Sequence, residues 1–410
     1  MSPPHDQETN EPEPVTFNPI GNYELPKMPT VHALRRYWTL VRDKFVQSED
    51  EPMLADDRLQ RATPKRLDDI VGLPPYGSLL DELDRTLDGW CNEARPAAWL
   101  QLVVLPPGDR SGLLAAWADR HDHQLLSPPG RAQLLAGQPD ELPDLQGDGV
   151  LVIPELERWF LRHRHALQAL RALLVGVGQL QRHCVIGCNS WAWSYLSRAL
   201  AVDRVLPTAM TFKAFDADRL REWFGRLATD ERSPTMTFRL AESGHDVLAG
   251  DGNGNGNGNG NGNSGEENGY LKRLAARSFG IPWVAWHLWR QSLRTELESD
   301  EVSGKVAENV RKTTDGDTHT LWVIDFEELT LPPRHLADAL LVLHALLLHG
   351  QLTGAELRAV LPNVGEIDTV PALMHAGFVA REGDDFHVRP AAYPPARQAL
   401  ASAGYPLDRL

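Results

Sequence analysis

At 410 residues the chain is long enough for two or three domains, each with its own core. It is 42% hydrophobic and 24% charged, and its formal net charge of -15 argues against a general nucleic-acid coat, which needs Lys and Arg to neutralise phosphates. Three cysteines, Cys91, Cys184 and Cys188, form an odd count and no disulfide framework.

Residues 1–29 begin "MSPPHDQETNEPEPV", rich in Pro and Glu and without the charged-then-apolar order of a signal peptide. They are expected to be disordered or draped over another surface. A helical segment is expected over 30–65, where "TVHALRRYWTLVRDKF" sets Val31, Leu34, Trp38 and Val41 on one face. Arg35, Arg36, Arg42 and Lys44 supply the other face, read first as solvated and second as a partner-binding surface.

Over 66–230 strand and helix patterns alternate. "GLPPYGSLLDELDRTLDGW" carries a helical stripe of Leu79, Leu80, Leu83 and Leu87. The strand "AAWLQLVVL" enters the turn "PPGDRSG" and the helix "LLAAWADRH". "GVLVIPELERWF" reads as strand into helix, "HALQALRALLVGV" as helix, "HCVIGCNS" as strand and "VLPTAMTFKAF" as a last strand. This alternation implies a parallel α/β sheet. Cys184 and Cys188 read as small core residues, since no second Cys/His pair completes a zinc shell. "RWFLRHRHAL" gathers Arg158, Arg162, His163, Arg164 and His165, with Glu155 and Glu157 before them. A solvated helix face is expected there, and His163 and His165, two apart, point to different faces.

Residues 231–268 form an insertion in which Asp251 to Asn263 is almost pure Asn-Gly repeat. Such a tract has no apolar surface to bury and high backbone entropy, and reads as a length-tolerant linker. The helical pattern resumes at "YLKRLAARSFGIPWVAWHLWRQSLRTEL", so 269–333 is expected to be a helical lid and connector. Trp191, Trp193, Trp283, Trp286 and Trp289 read as core or interface anchors. A second reading has Trp283 filling the space of a nucleotide base.

From 334 to 410 the pattern changes again. "HLADALLVLHALLLHG" is a buried helix stopped at Gly350. Thr353 and Glu356 make a capping box, "GEIDTVPALMHAGFV" is a third helix, and "GFVAREGDDFHVRP" is a hairpin turning near Gly383. Three helices and a hairpin are the winged-helix order. The third helix holds Glu366 and Asp368 without Lys or Arg, so protein docking or lid stabilisation is expected before DNA reading. The aliphatic run from Leu336 carries Asp338, His344 and His349 and falls short of a membrane span of ~20 residues. No membrane insertion is expected, and a cytoplasmic, reducing location is.

The turn at Pro107 raises the functional question. A working P-loop reads G-x-x-x-x-G-K-[ST]. With the second glycine on Gly112, Pro107 takes the first position, Leu113 the lysine's and Leu114 that of the metal-binding hydroxyl. The backbone of Gly108, Asp109, Arg110, Ser111 and Gly112 retains the outline of an anion nest at a helix N-terminus. Asp109 sets a like charge beside any phosphate, and Arg110 offsets part of it.

On these residues the order of pieces resembles the AAA+ ATPases, in particular the branch of origin-recognition, transposition-helper and STAND-type proteins. The resemblance runs from about Arg66 to Leu410. It implies an α/β fold: a parallel-sheet P-loop core, a helical lid and a C-terminal winged helix. It also implies that Pro154 stands for the metal-holding Asp and Glu155 for the water-polarising Glu. Asn189 then takes the sensor position, and Trp283 that of the lid arginine. Arg198 and Arg204 follow the sensor strand, without a competent site to serve as arginine fingers.

Leu113, Leu114, Pro154 and Trp283 thus depart from the pattern together. Losing two charge-assisted contacts costs roughly 3–6 kcal/mol, or about two to four decades of affinity. The expectation is a degenerate site without catalytic residue or metal ligand, leaving room only for residual ATP or ADP binding. Such a pseudo-ATPase would act by binding another protein, an active ATPase relative or copies of itself. Two alternatives stay open: a divergent NTPase using Arg110 and Glu155, and a winged-helix DNA-binding regulator using Arg35 and Arg36.

Overall fold

A computed structural model describes residues 16–29, 59–61, 76–109, 112–136, 144–163, 166–228, 236–248, 269–296, 319–362, 364 and 369–410. Its strands are β1 (Asn18–Pro19), β2 (Leu59–Arg61), β3 (Leu100–Leu105), β4 (Gln124–Leu125), β5 (Leu151–Ile153), β6 (Cys184–Asn189), β7 (Met210–Thr211), β8 (Met236–Leu240), β9 (Leu293–Glu296), β10 (His319–Val323), β11 (Leu352–Thr353), β12 (Val379–Glu382) and β13 (Asp385–Val388). Its helices are α1 (Gly77–Cys91), α2 (Leu113–Arg120), α3 (Arg131–Ala136), α4 (Gln168–Val177), α5 (Ser190–Leu200), α6 (Ala217–Ala228), α7 (Gly269–Arg277), α8 (Pro282–Ser292), α9 (Leu336–His349), α10 (Gly354–Val360), α11 (Thr369–His375) and α12 (Tyr393–Ser402).

The principal sheet runs β1-β7-β3-β6-β5-β4. Its β7-to-β4 portion is parallel, and β1 adds an antiparallel edge. The strand that follows β5 in the chain inserts between β3 and β5, with Leu100 opposite Cys184 and Leu105 opposite Asn189. A five-stranded parallel core in this order resembles that of AAA+ domains. Both faces are buried, which is why the strands read as continuous apolar runs. Val103, Val152 and Val185 face α1 and α2, whereas Leu102, Val104, Ile153 and Ile186 face α4 and α5.

Two expectations are corrected. Residues 16–29 are not a loose tail: Phe17 is buried, its N–H donates to Thr86 Oγ1 at 2.9 Å, and Tyr23 donates its hydroxyl to the carbonyl of Phe279 at 2.8 Å. Its apolar anchors, Phe17, Ile20 and Tyr23, outweigh the Pro- and Glu-rich composition around them. The region read as a helical lid and connector has two helices, α7 and α8, but also two strands. β9 and β10 join β2 and β8 in a second sheet ordered β2-β9-β10-β8. β10 lies parallel to β8 and antiparallel to β9. These strands are short and Thr- and Arg-containing, so their period-2 signal is weak. The helix read at 31–44 and the Asn-Gly tract lie outside the described residues.

The C-terminal module holds α9 to α11 and a small antiparallel sheet ordered β11-β13-β12, consistent with a winged helix. Both halves of its capping box form: Thr353 N–H donates to Glu356 Oε2 at 2.8 Å, and Glu356 N–H to Thr353 Oγ1 at 3.2 Å. Gly383, at φ +60°, turns the hairpin. Glu366 and Asp368 lie outside the described residues. α12 follows the hairpin, its prolines standing in the first turn, where a missing N–H costs nothing. Among the described residues no helix is long and apolar enough to cross a membrane.

Candidate functional site

The carboxyl ends of β3, β5 and β6 open on a cleft of about 270 Å³, the place where open α/β sheets present ligand sites. Gly108, Asp109, Gly112, Glu155 and Asn189 all line it, so five of the residues singled out in the sequence converge. Arg110 and Ser111 lie outside the described residues. The opposite wall comes from the C-terminal module: Leu346, Leu347 and His349 of α9, His387 and Val388 of β13, then Pro390 and Tyr393.

Asp109, Glu155 and Asn189 are each engaged with the protein itself. Asp109 Oδ2 accepts the N–H of Leu113 at 3.0 Å, so a carboxylate of the chain sits at the start of α2, where the nest would take an anion. Leu113 and Leu114 are buried in the core. Leu114 lies against bare backbone: a Cβ on Gly187 would come within 2.3 Å of its Cδ1 and 2.1 Å of the Pro154 carbonyl. Asn189 caps α5, its Oδ1 accepting the N–H of Ala192 at 2.7 Å, while its Nδ2 donates to the Leu348 carbonyl at 3.3 Å. Glu155 is half-exposed and pairs with Arg158 at 3.2 Å.

Glu157 was not singled out as a site residue, yet it is the buried carboxylate of the cleft. A 3₁₀ turn over Leu156–Trp159 turns it inward, and its Oε2 accepts the N–H of Asn189 at 3.1 Å. Burial, reinforced by the charge of Glu155, pushes its carboxyl up to about 7. Nothing in the sequence signals this: in extended backbone Glu155 and Glu157, two apart, would share one face, and it is the 3₁₀ turn over Leu156–Trp159 that separates them.

Facing it, His349 accepts the N–H of Arg162 at Nε2, 3.2 Å away. Burial and then the nearby charges of Arg131 and Arg162 hold it well below the ordinary histidine range. His344 is held at about 4 by burial and Arg162, whose guanidinium lies 3.4 Å from its Nδ1. Arg162 thus turns toward the C-terminal module, and Arg158 toward Glu155. Arg164 and His165 lie outside the described residues.

Trp283 packs against the loop that borders the cleft. Its Nε1 donates to the Pro107 carbonyl at 3.0 Å, and its ring packs edge-on against Phe212 and Tyr76 at centroid distances of 5.6 and 6.4 Å. A Cβ on Gly108 would meet the indole at 3.6 Å and Pro390 at 3.7 Å. Trp191, Trp193, Trp286 and Trp289 are also buried, as core anchors. Arg198 and Arg204 are exposed. Cys184 and Cys188 are buried free thiols; burial raises Cys184 to about 12. Among the described residues no group of three His, Cys, Asp or Glu side chains is arranged to hold a metal.

No family model matches the chain, and no curated protein matches it. Among solved structures it is similar to two single-residue variants of Thermotoga maritima RuvB. The arginine-to-alanine variant is 15% identical, with 84% of this chain and 98% of that one covered and a TM-score of 0.32. The alanine-to-serine variant is 14% identical, with 75% and 88% covered and a TM-score of 0.28. The ORC2 protein of Aeropyrum pernix, solved as ADPNP and ADP complexes, is 13% identical, with 94% and 97% covered and a TM-score of 0.24. The AAA+-like class of the fold is seen in the strand order and the small C-terminal antiparallel sheet.

Proposed function

We propose that this chain is a pseudo-ATPase, an AAA+-like core whose nucleotide cleft has become an internal packing surface. It acts by holding another protein, an AAA+ relative or copies of itself. The observation that carries this reading is the engagement of the cleft's loop and walls by the chain's own groups. The Asp109 carboxylate takes the helix N-terminus, Trp283 takes the carbonyl of Pro107, and the leucines at the lysine and hydroxyl positions belong to the core. The C-terminal module supports it by packing on the cleft. The half-exposed Glu155 is engaged by Arg158, which disfavours it as a water-polarising base.

The test is calorimetric titration with ATP and ADP, with and without magnesium, to millimolar nucleotide, beside a thermal-shift series. Any ligand preferring the folded state raises its stability. The expected result is neither heat nor shift. Tight magnesium-dependent binding, with turnover lost in Glu155→Gln, overturns the reading in favour of an NTPase. Sedimentation and copurification test the holding role, which fails if neither a partner nor self-assembly is found.

A further inference from the structure

The C-terminal residues reach back across the molecule to a buried carboxylate whose partners span both modules. Asp408 is buried. Its Oδ2 accepts the hydroxyls of Ser190 on α5 at 2.8 Å and of Tyr393 on α12 at 2.7 Å. Its Oδ1 accepts the Arg397 Nε–H at 2.8 Å. One carboxylate therefore fixes two side chains of α12 and ties them to the helix that follows the sensor strand.

Both of those side chains grip the same residue. The Arg397 guanidinium lies 5.2 Å over the ring of Phe279, and the Tyr393 ring meets it edge-on at 6.1 Å. Phe279 is a non-glycine residue at φ +57°, in the left-handed region that an aromatic side chain disfavours. It is followed by Gly280 at φ +71° and then by α8, whose second residue is Trp283. The strained turn thus aims the indole that bonds the Pro107 carbonyl at the edge of the cleft, and the surrounding contacts hold the turn in place.

We propose that Asp408 is a latch: through Arg397 and Tyr393 it clamps Phe279, and the clamped turn keeps Trp283 bonded to the Pro107 turn that borders the cleft. Release of the C-terminal residues relaxes Phe279 and opens the cleft without unfolding the core. The device does not depend on what the cleft holds.

The chain carries its own reporters. Cys188 and Cys184 lie on the same buried strand, but only Cys188 borders the cleft. An alkylating reagent under native conditions, read by mass spectrometry, reaches each thiol in proportion to the population that exposes it. In Asp408→Asn the latch predicts a rise of about tenfold or more at Cys188 with Cys184 unchanged. Phe279→Gly removes the gripped ring while accepting the left-handed backbone at no steric cost, and so guards against a variant that fails to fold. It should raise Cys188 similarly, and the double variant should add nothing to either single one. Parallel rises at both thiols mean general loosening and overturn the latch. Unchanged reactivity at Cys188 overturns it too, as do effects that multiply in the double variant.

Discussion

Trp283 donates its indole N–H to the carbonyl of Pro107, joining α8 to the turn between β3 and α2. The indole is almost fully buried and packs against aromatic rings from the β7 end of the sheet and the start of α1. A side chain with that contact set stabilises the fold at the turn beside the cleft.

Replacement of Trp283 by Ala is therefore expected to cost about 3–5 kcal/mol, the range for deleting a buried aromatic. Phe at the same position keeps most of the packing and loses one hydrogen bond, about 1 kcal/mol plus the desolvation of the orphaned carbonyl. Urea denaturation of both variants measures the two terms separately. A wild-type midpoint in Trp283→Ala would show that the indole stabilises nothing.

Reinstating the missing loop chemistry should damage the fold before it restores function. Leu114 lies against the backbone of Gly187, and Leu113 is buried with it. Leu114→Thr trades buried methyl groups for an unsatisfied hydroxyl, a loss of about 2–4 kcal/mol. Leu113→Lys buries a charge where burial is strongly unfavourable. Gly187→Ala is the companion test: its Cβ would stand 2.1 Å from a main-chain oxygen, which no rotamer change relieves. It is expected to cost about 3 kcal/mol, at the upper end of overpacking effects, read by chemical unfolding.

Much of this was legible before any coordinates. The parallel core followed from β-type runs alternating with helical stripes, and the C-terminal module from a capping box at Thr353 and a glycine turn at Gly383. The convergence of Gly108, Asp109, Gly112, Glu155 and Asn189 followed from one physical rule, that strand ends of a parallel sheet share an edge. What escaped were features set by partners distant in sequence. The second sheet pairs segments as far apart as residues 59 and 296, each too short to declare itself. Phe17 is held by Thr86 within α1 and by the ring of Phe212 just after β7, neither of which a local window contains. Glu157 and Glu155 carry identical local chemistry, and only the 3₁₀ turn after β5 decides which one is buried. The engagement of Asp109 and Asn189 at helix starts is also local, but both residue types serve ligands and helix ends equally well.

Asp109 holds the start of α2 by accepting the N–H of Leu113. Asp109→Ala should cost about 1 kcal/mol, the usual value of a lost hydrogen bond. Asp109→Asn retains an acceptor and should cost less, with the difference reporting the interaction of the carboxylate charge with the helix dipole. Hydrogen exchange at the Leu113 and Ala116 amides measures this locally. Equal, wild-type protection in both variants would dissociate Asp109 from the helix start.

The buried pair at the junction of the two modules gives the fold a characteristic dependence on pH. Glu157 titrates near 4.5 when the chain is unfolded and at about 7 when folded. Below pH 4.5 it is protonated in both states, and its burial carries no ionisation penalty. Between the two values only the unfolded chain releases the proton, so stability falls as pH rises, by about 3 kcal/mol in all, and then levels above pH 7. His344 works with the opposite sign. Its folded value of about 4 lies below the ordinary 6.5, so its contribution is present above pH 6.5 and is lost as pH falls toward 4. His349 adds to that acid limb. Glu157→Gln keeps an acceptor for the Asn189 amide while abolishing the ionisation. It should match the wild type at pH 4.5 and exceed it by about 3 kcal/mol at pH 8. Urea unfolding across that range measures the gap, and curves that stay parallel at every pH would mean that Glu157 ionises as freely in the fold as out of it.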